Sequence, residues 1–136
     1  MRALITKENI FIATLAVCGL LVGCHKETNP VQPPPLKPLE LLYPKGGESF
    51  KADSTVLIRW QINDSTKIPS GSVVVELSID NGKIYSALGT GSHPLDTTSY
   101  SWTVDSSQVS DSCRIRVRDY NDRSVTDMSG RFTVHN

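Results

Sequence analysis

Between residues 55 and 119 the chain alternates apolar and polar side chains in three separate runs. Val56, Ile58, Trp60 and Ile62 are interleaved with Leu57, Arg59 and Gln61. Val73, Val75, Leu77 and Ile79 are interleaved with Val74, Glu76 and Ser78. Cys113, Ile115 and Val117 are interleaved with Arg114, Arg116 and Arg118. A period of two sends successive side chains to opposite faces of an extended strand, so each run reads as a strand with one buried and one outward face. Residues 39–43, 83–88, 99–104 and 130–135 read as four more, with Tyr100, Trp102, Val104, Phe132 and Val134 inward. Turn residues separate them, Pro44 and Lys45-Gly46-Gly47 among them, and no segment from 39 to 136 keeps a helical period. Seven short strands in 98 residues predict one all-β sandwich with one core.

The chain ahead of the strands has a different character. Arg2 and Lys7 precede an uncharged apolar stretch from 10 to 22, and Leu21-Val22-Gly23-Cys24 closes it. A positive start, a short apolar core and a small residue before the cut describe a secretory signal. The stretch is about 13 residues, short of the roughly 20 that span a bilayer. Leu-Val-Gly-Cys resembles the lipobox of bacterial lipoproteins. That resemblance implies cleavage before Cys24, a diacylglyceryl thioether on its sulfur, and attachment to a membrane by lipid. Residue 25 is His25 and not aspartate, which in Gram-negative lipoproteins favours the outer membrane. Residues 25–38 then contain five prolines in 14, a composition that favours extended polyproline II. The expected organisation is a signal peptide over 1–23, lipidated Cys24 with a tether to 38, and a sandwich over 39–136.

Charge and cysteine usage narrow the functions. Without Arg2, Lys7 and Glu8, the 14 basic and 14 acidic residues become 12 and 13, a net charge of −1. Nucleic-acid binding needs a basic excess and is not expected. Cys18 leaves with the signal and Cys24 carries lipid, so Cys113 has no intramolecular partner and reads as a small buried apolar side chain.

Five short motifs occur in order: Tyr43-Pro44-Lys45-Gly46-Gly47-Glu48-Ser49-Phe50, Ile58-Arg59-Trp60, Ser101-Trp102-Thr103-Val104, Ile115-Arg116-Val117 and Gly130-Arg131-Phe132-Thr133-Val134. Together they resemble the immunoglobulin-like domain of the Ser-Thr-rich glycosylphosphatidylinositol-anchored membrane family, related to fungal cell-wall-synthesis proteins. The position of Trp60 also resembles fibronectin type III. The resemblance implies an immunoglobulin-like or fibronectin-like sandwich and residence at a cell envelope, and it brings no catalytic residues. Asp53-Ser54 stands where the family often has a turn glycine.

Three groups of residues are site candidates. Arg114, Arg116 and Arg118 fall on one strand face, with Arg131 expected beside them and Glu76 across from them. Guanidiniums about 7 Å apart along a strand match phosphate or carboxylate groups bidentately. The competing reading is a solvated face, partly paired to Glu76. Ser78-Ile79-Asp80-Asn81-Gly82-Lys83-Ile84-Tyr85 resembles the Asp-box, which implies a structural hairpin built on Ser78, Asp80, Gly82 and Tyr85. Asp119, Asn121, Asp122 and Asp127 crowd one loop, but the glycine and distal glutamate of a calcium loop are missing, so they read as turn formers. Trp60 and Trp102 lie in phase with aliphatic neighbours and read as core, a sugar-binding aromatic pair being the alternative. No catalytic residue, metal or cofactor is expected. The chain reads as a lipid-anchored envelope module that binds a protein or polysaccharide, with a structural spacer or accessory subunit as second reading and an envelope hydrolase as third.

Overall fold

The computed structural model describes residues 30–136; the expected signal segment and Cys24 lie outside the described residues. Residues 30–34 fall outside the compact unit of residues 35–136, and they are exposed with no regular structure.

Nine strands follow in chain order: β1 (Leu39–Tyr43), β2 (Ser49–Lys51), β3 (Thr55–Ile62), β4 (Ser72–Ser78), β5 (Ser86–Pro94), β6 (Ser99–Thr103), β7 (Ser110–Asp119), β8 (Thr126–Met128) and β9 (Phe132–His135). One sheet has the order β1-β3-β6, and the other β2-β9-β7-β4-β5 with β8 also paired to β7. The pairings are antiparallel except for β2 with β9. The inward residues of both sheets meet in one apolar core, where Trp60, Trp102, Phe132, Ile58 and Ile115 are all at most 2% exposed. This is an all-β sandwich of the immunoglobulin-like, fibronectin III-like type. Its seven principal strands are those expected, and β2 and β8 are short additions of three residues each.

The first edge strand changes sheets. β1 pairs with β3, and after the turn at 44–48 the chain crosses to run beside β9 as β2. The crossing is tight. Gly46 has φ +125°, and a Cβ there would sit 2.7 Å from Gly130 Cα. Glu48 closes the same turn by accepting the Lys45 and Gly46 amides, each at 2.7 Å.

Two expectations are corrected. The fourth strand runs from Ser86 to Pro94 and not over 83–88, because residues 83–85 belong to the hairpin. It is longer because it carries a bulge: its pairing with β4 shifts between Glu76↔Ala87 and Val74↔Ser92. Gly89 and Gly91 supply the positive φ values in that bulge. The second correction concerns β4. Val74, Glu76 and Ser78, expected outward, are buried, while Ile79, expected inward, is 43% exposed. β4 is flanked by β5 and β7, and long side chains from β7 fold across its outer face.

Candidate functional site

The strand register builds the arginine face. Ser78, Glu76 and Val74 of β4 stand opposite Arg114, Arg116 and Arg118 of β7. Glu76, 6% exposed, is the centre of this surface. Its Oε2 accepts from Arg116 Nε at 2.7 Å and lies 2.6 Å from Arg116 Nη2, and its Oε1 accepts from Arg118 Nε at 3.1 Å. The Arg116 guanidinium also lies 3.8 Å above the Tyr85 ring, a cation–π contact. Arg118 Nη1 donates to the carbonyls of Asp119 and Tyr120, both at 2.9 Å. Arg114 donates from Nε to Asn81 Oδ1 at 2.9 Å and from Nη1 to the Ser129 carbonyl at 3.2 Å.

The face therefore brings Arg114, Arg116 and Arg118 together as expected, with Glu76 among them, but it is not a solvated stripe. Each guanidinium is fixed by the fold, and what remains for a ligand is the outward N–H groups. Arg131 lies just before β9, is exposed, and makes no side-chain hydrogen bond or ion pair among the described residues.

The hairpin residues form a closed local network. Ser78 Oγ donates to Asp80 Oδ1 at 2.6 Å and accepts the Gly82 amide at 2.9 Å. Asp80 Oδ1 also accepts the Lys83 and Ile84 amides. Gly82 has φ +87°, and a Cβ there would meet the Tyr85 hydroxyl at 3.2 Å. Tyr85 thus packs against the glycine and carries Arg116, so hairpin and arginine face are one structure. Hydrogen bonds from Ser78 and from the backbone hold the Asp80 carboxyl below the ordinary carboxylate range.

Two aspartates from the crowded loop organise the fold at different places. Asp119, buried, accepts from Ser70 Oγ at 2.5 Å and from the amides of Ser70, Asn121 and Asp122 at 3.0, 2.9 and 2.6 Å. Asp127 takes Lys37 on Oδ1 at 2.5 Å and the Leu41 amide on Oδ2 at 2.8 Å. Asn121 and Asp122 contribute backbone to Asp119, and the Asp122 carboxylate turns to Ser124. Among the described residues no three His, Cys, Asp or Glu groups converge in a way that would hold a metal ion.

Burial pushes the Asp119 carboxyl upward, but the hydrogen bonds from Ser70, Asp122 and Asn121 outweigh it, and its pKa lies below the ordinary value. A carboxyl with a depressed folded pKa stabilises the protein above its unfolded value, near 3.9, and loses that contribution as pH falls through the lower folded value. Asp119→Asn is expected to cost about 1–3 kcal/mol at pH 7. The gap to wild type should narrow below about pH 4. Urea titrations of both proteins between pH 7 and pH 2 read this directly, and a gap independent of pH would refute it.

Cys113 is a free, fully buried thiol, and burial raises its pKa. Trp102 is core and donates from Nε1 to Gln108 at 3.1 Å. Trp60 is core as well, with the His93 ring centred 5.6 Å from its own, and His93 in turn 5.3 Å from Tyr100. Trp60 Nε1 and His93 Nε2 are buried without hydrogen-bond partners among the described residues. Desolvation lowers the His93 pKa. That arrangement was not legible in the sequence, where His93 is 33 residues from Trp60 and 7 from Tyr100.

No protein-family model and no curated protein matches the chain. Among solved structures the chain is similar to a structure described as fibronectin(III)-like modules of CbhA from Clostridium thermocellum. The identity is 17%, over 71% of this chain and 91% of that one, with a TM-score of 0.38. The sandwich assignment rests on the strand order and pairing described above.

Proposed function

We propose that this protein is a lipid-anchored module of the bacterial cell envelope that binds a protein or glycan partner and performs no chemistry of its own. The observation that carries the non-catalytic reading is the fate of the buried acids. Glu76, Asp119 and Asp127 each commit both carboxylate oxygens to arginine, lysine, serine or backbone groups that shape the fold. A general acid or base needs an accessible position beside a substrate, and these have none.

The anchor in this reading is Cys24, within the Leu21–Cys24 motif. The chain is fixed to the domain from Lys37 onward, through Asp127 and through the Asn63 amide to the Pro38 carbonyl at 2.8 Å. In this reading residues 25–36 serve as the tether, and extended as polyproline II at about 3.1 Å per residue they would reach roughly 40 Å. The family resemblance of the five motifs points to the same compartment. The arginine face offers the outward N–H groups of Arg114, Arg116 and Arg118 to an anionic polymer, and the exposed Arg131 just before β9 is a further cation. The tether also supports a second reading, a spacer or accessory subunit of an envelope complex.

Mass spectrometry of the protein extracted from membranes tests the anchor. The expected N-terminal peptide starts at Cys24 and carries the mass of a diacylglyceryl group. An unmodified peptide, or one that starts elsewhere, overturns it.

A further inference from the structure

The first sheet is incomplete where β1 leaves it. β1 covers β3 only from Arg59 to Ile62, whereas β6 runs along the other side of β3 from Thr55 to Arg59. On the β6 side, the Trp60 amide donates to the Thr98 carbonyl at 3.0 Å and the Ser54 carbonyl accepts the Val104 amide at 2.9 Å. Backbone groups alternate in direction along a strand. The N–H and C=O groups of Thr55 and Leu57 therefore point the opposite way, into the gap, where no strand pairs with them among the described residues. The outer edge of β1 is closed by contrast. Its Leu41 amide goes to Asp127, and its Leu41 carbonyl accepts from Lys45 Nζ at 2.6 Å.

A groove of about 480 Å³ fills the gap, lined by Tyr43 and Phe50 and by Thr55 and Leu57 of β3. Leu57 is 49% exposed. The charged side chains lining the groove are Lys51 and Arg59, both exposed and neither paired with a carboxylate among the described residues. Free strand-edge groups, an apolar floor and two unpaired cations are the complement of one ligand type.

We propose that this gap is a docking slot for an extended peptide segment of a partner protein, apolar at its centre and acidic at its flanks, which adds as a short strand to Thr55–Leu57. This rests on the reading of the domain as a binding module and names the class of partner. Main-chain hydrogen bonds to an open edge supply affinity and the flanking charges supply selectivity. A second copy of the chain is a poor occupant, because a two-fold pairing would set Lys51 and Arg59 against their own like charges.

The test uses the full lipidated chain in detergent micelles and two probes, acetyl-Asp-Val-Thr-Val-Asp-amide and the same peptide with lysine at both ends. The acidic peptide is expected to shift the Thr55 and Leu57 amide resonances saturably and the lysine peptide is not. The double variant Lys51→Ser, Arg59→Ser should weaken binding about tenfold or more. Leu57→Pro removes one edge donor and should abolish it; Pro is tolerated where a strand N–H faces outward. The double variant, which leaves the backbone untouched, carries the test if the proline variant unfolds. No amide shift, equal binding of both peptides, binding that survives the double variant, or equal shifts from polygalacturonate that Leu57→Pro leaves intact would each overturn the slot. Photo-crosslinking in cells separates this failure from failure of the module reading. A partner adduct unchanged by the double variant sinks the slot alone, and absence of any adduct from the wild type sinks the module.

Discussion

Replacing Glu76 with alanine is expected to destabilise the domain by about 3 kcal/mol or more, toward the 3–5 kcal/mol found when one member of a buried ion cluster is removed. The reason is geometric. Among the described residues Glu76 is the single carboxylate paired with Arg116 and Arg118, whose side chains are 24% and 12% exposed. Removing it leaves two partly desolvated guanidiniums facing each other across the outer surface of β4 and β7. A domain of this size is stable by only about 5–15 kcal/mol, so the loss is a large share of the total. The melting temperature should fall by roughly 12–24 °C. The exposed Arg131, which no carboxylate holds among the described residues, gives the contrast: Arg131→Ala should change stability by about 0.5 kcal/mol or less. A triple change of Glu76, Arg116 and Arg118 to leucine or methionine should recover much of what Glu76→Ala loses, since an apolar set leaves no unpaired charge. Thermal or urea unfolding of these variants measures it. A loss below about 1 kcal/mol for Glu76→Ala would mean that the cluster behaves as an ordinary solvent-exposed pair.

The strands were legible where side-chain periodicity alone decides them. The alternating runs at 56–62, 73–79 and 113–118 each coincide with a strand, β3 at Thr55–Ile62, β4 at Ser72–Ser78 and β7 at Ser110–Asp119. β2 and β8 carry no such signal, because three residues cannot show a period, and their pairing is dictated by the free edges of β9 and β7. β5 reads Ser-Ala-Leu-Gly-Thr-Gly-Ser-His-Pro, and its path depends on a glycine bulge with Gly89 lying against Tyr100. The hairpin at Ser78–Tyr85 was legible because its hydrogen bonds span at most four residues.

The alignment of Arg114, Arg116 and Arg118 was legible, and the character of their face was not. Alternation correctly sent Arg114, Arg116 and Arg118 to one side of β7 and Glu76 to the same side of β4. It could not show that this outer surface is covered, since that depends on Tyr85 arriving from the hairpin. The slot beside β3 had no sequence signal at all. It exists because β1 ends its pairing at Arg59 and moves to the other sheet, a property of two strands distant in sequence.

On the proposed lipid attachment at Cys24, removing that anchor should have the largest effect on where the protein resides. Each buried methylene contributes about 0.8 kcal/mol, so one acyl chain gives marginal binding and two or more give stable attachment. With residues 1–23 removed as proposed, the net charge of −1 offers no electrostatic substitute. Among the described residues, no helix is long and apolar enough to cross a membrane. Cys24→Ser, made behind an ordinary secretory signal so that residues 1–23 are still removed, leaves the sandwich sequence from 39 to 136 untouched, so this variant should fold with unchanged stability while losing its attachment. The most direct measurement is detergent phase partitioning of membranes from cells that express the two proteins at equal levels. The wild type should enter the detergent-rich phase almost entirely, and Cys24→Ser should move to the aqueous phase with its melting temperature preserved. Cys24→Ser that stays in the detergent-rich phase would contradict a lipid anchor on Cys24, and with it the assignment of this domain to the membrane surface.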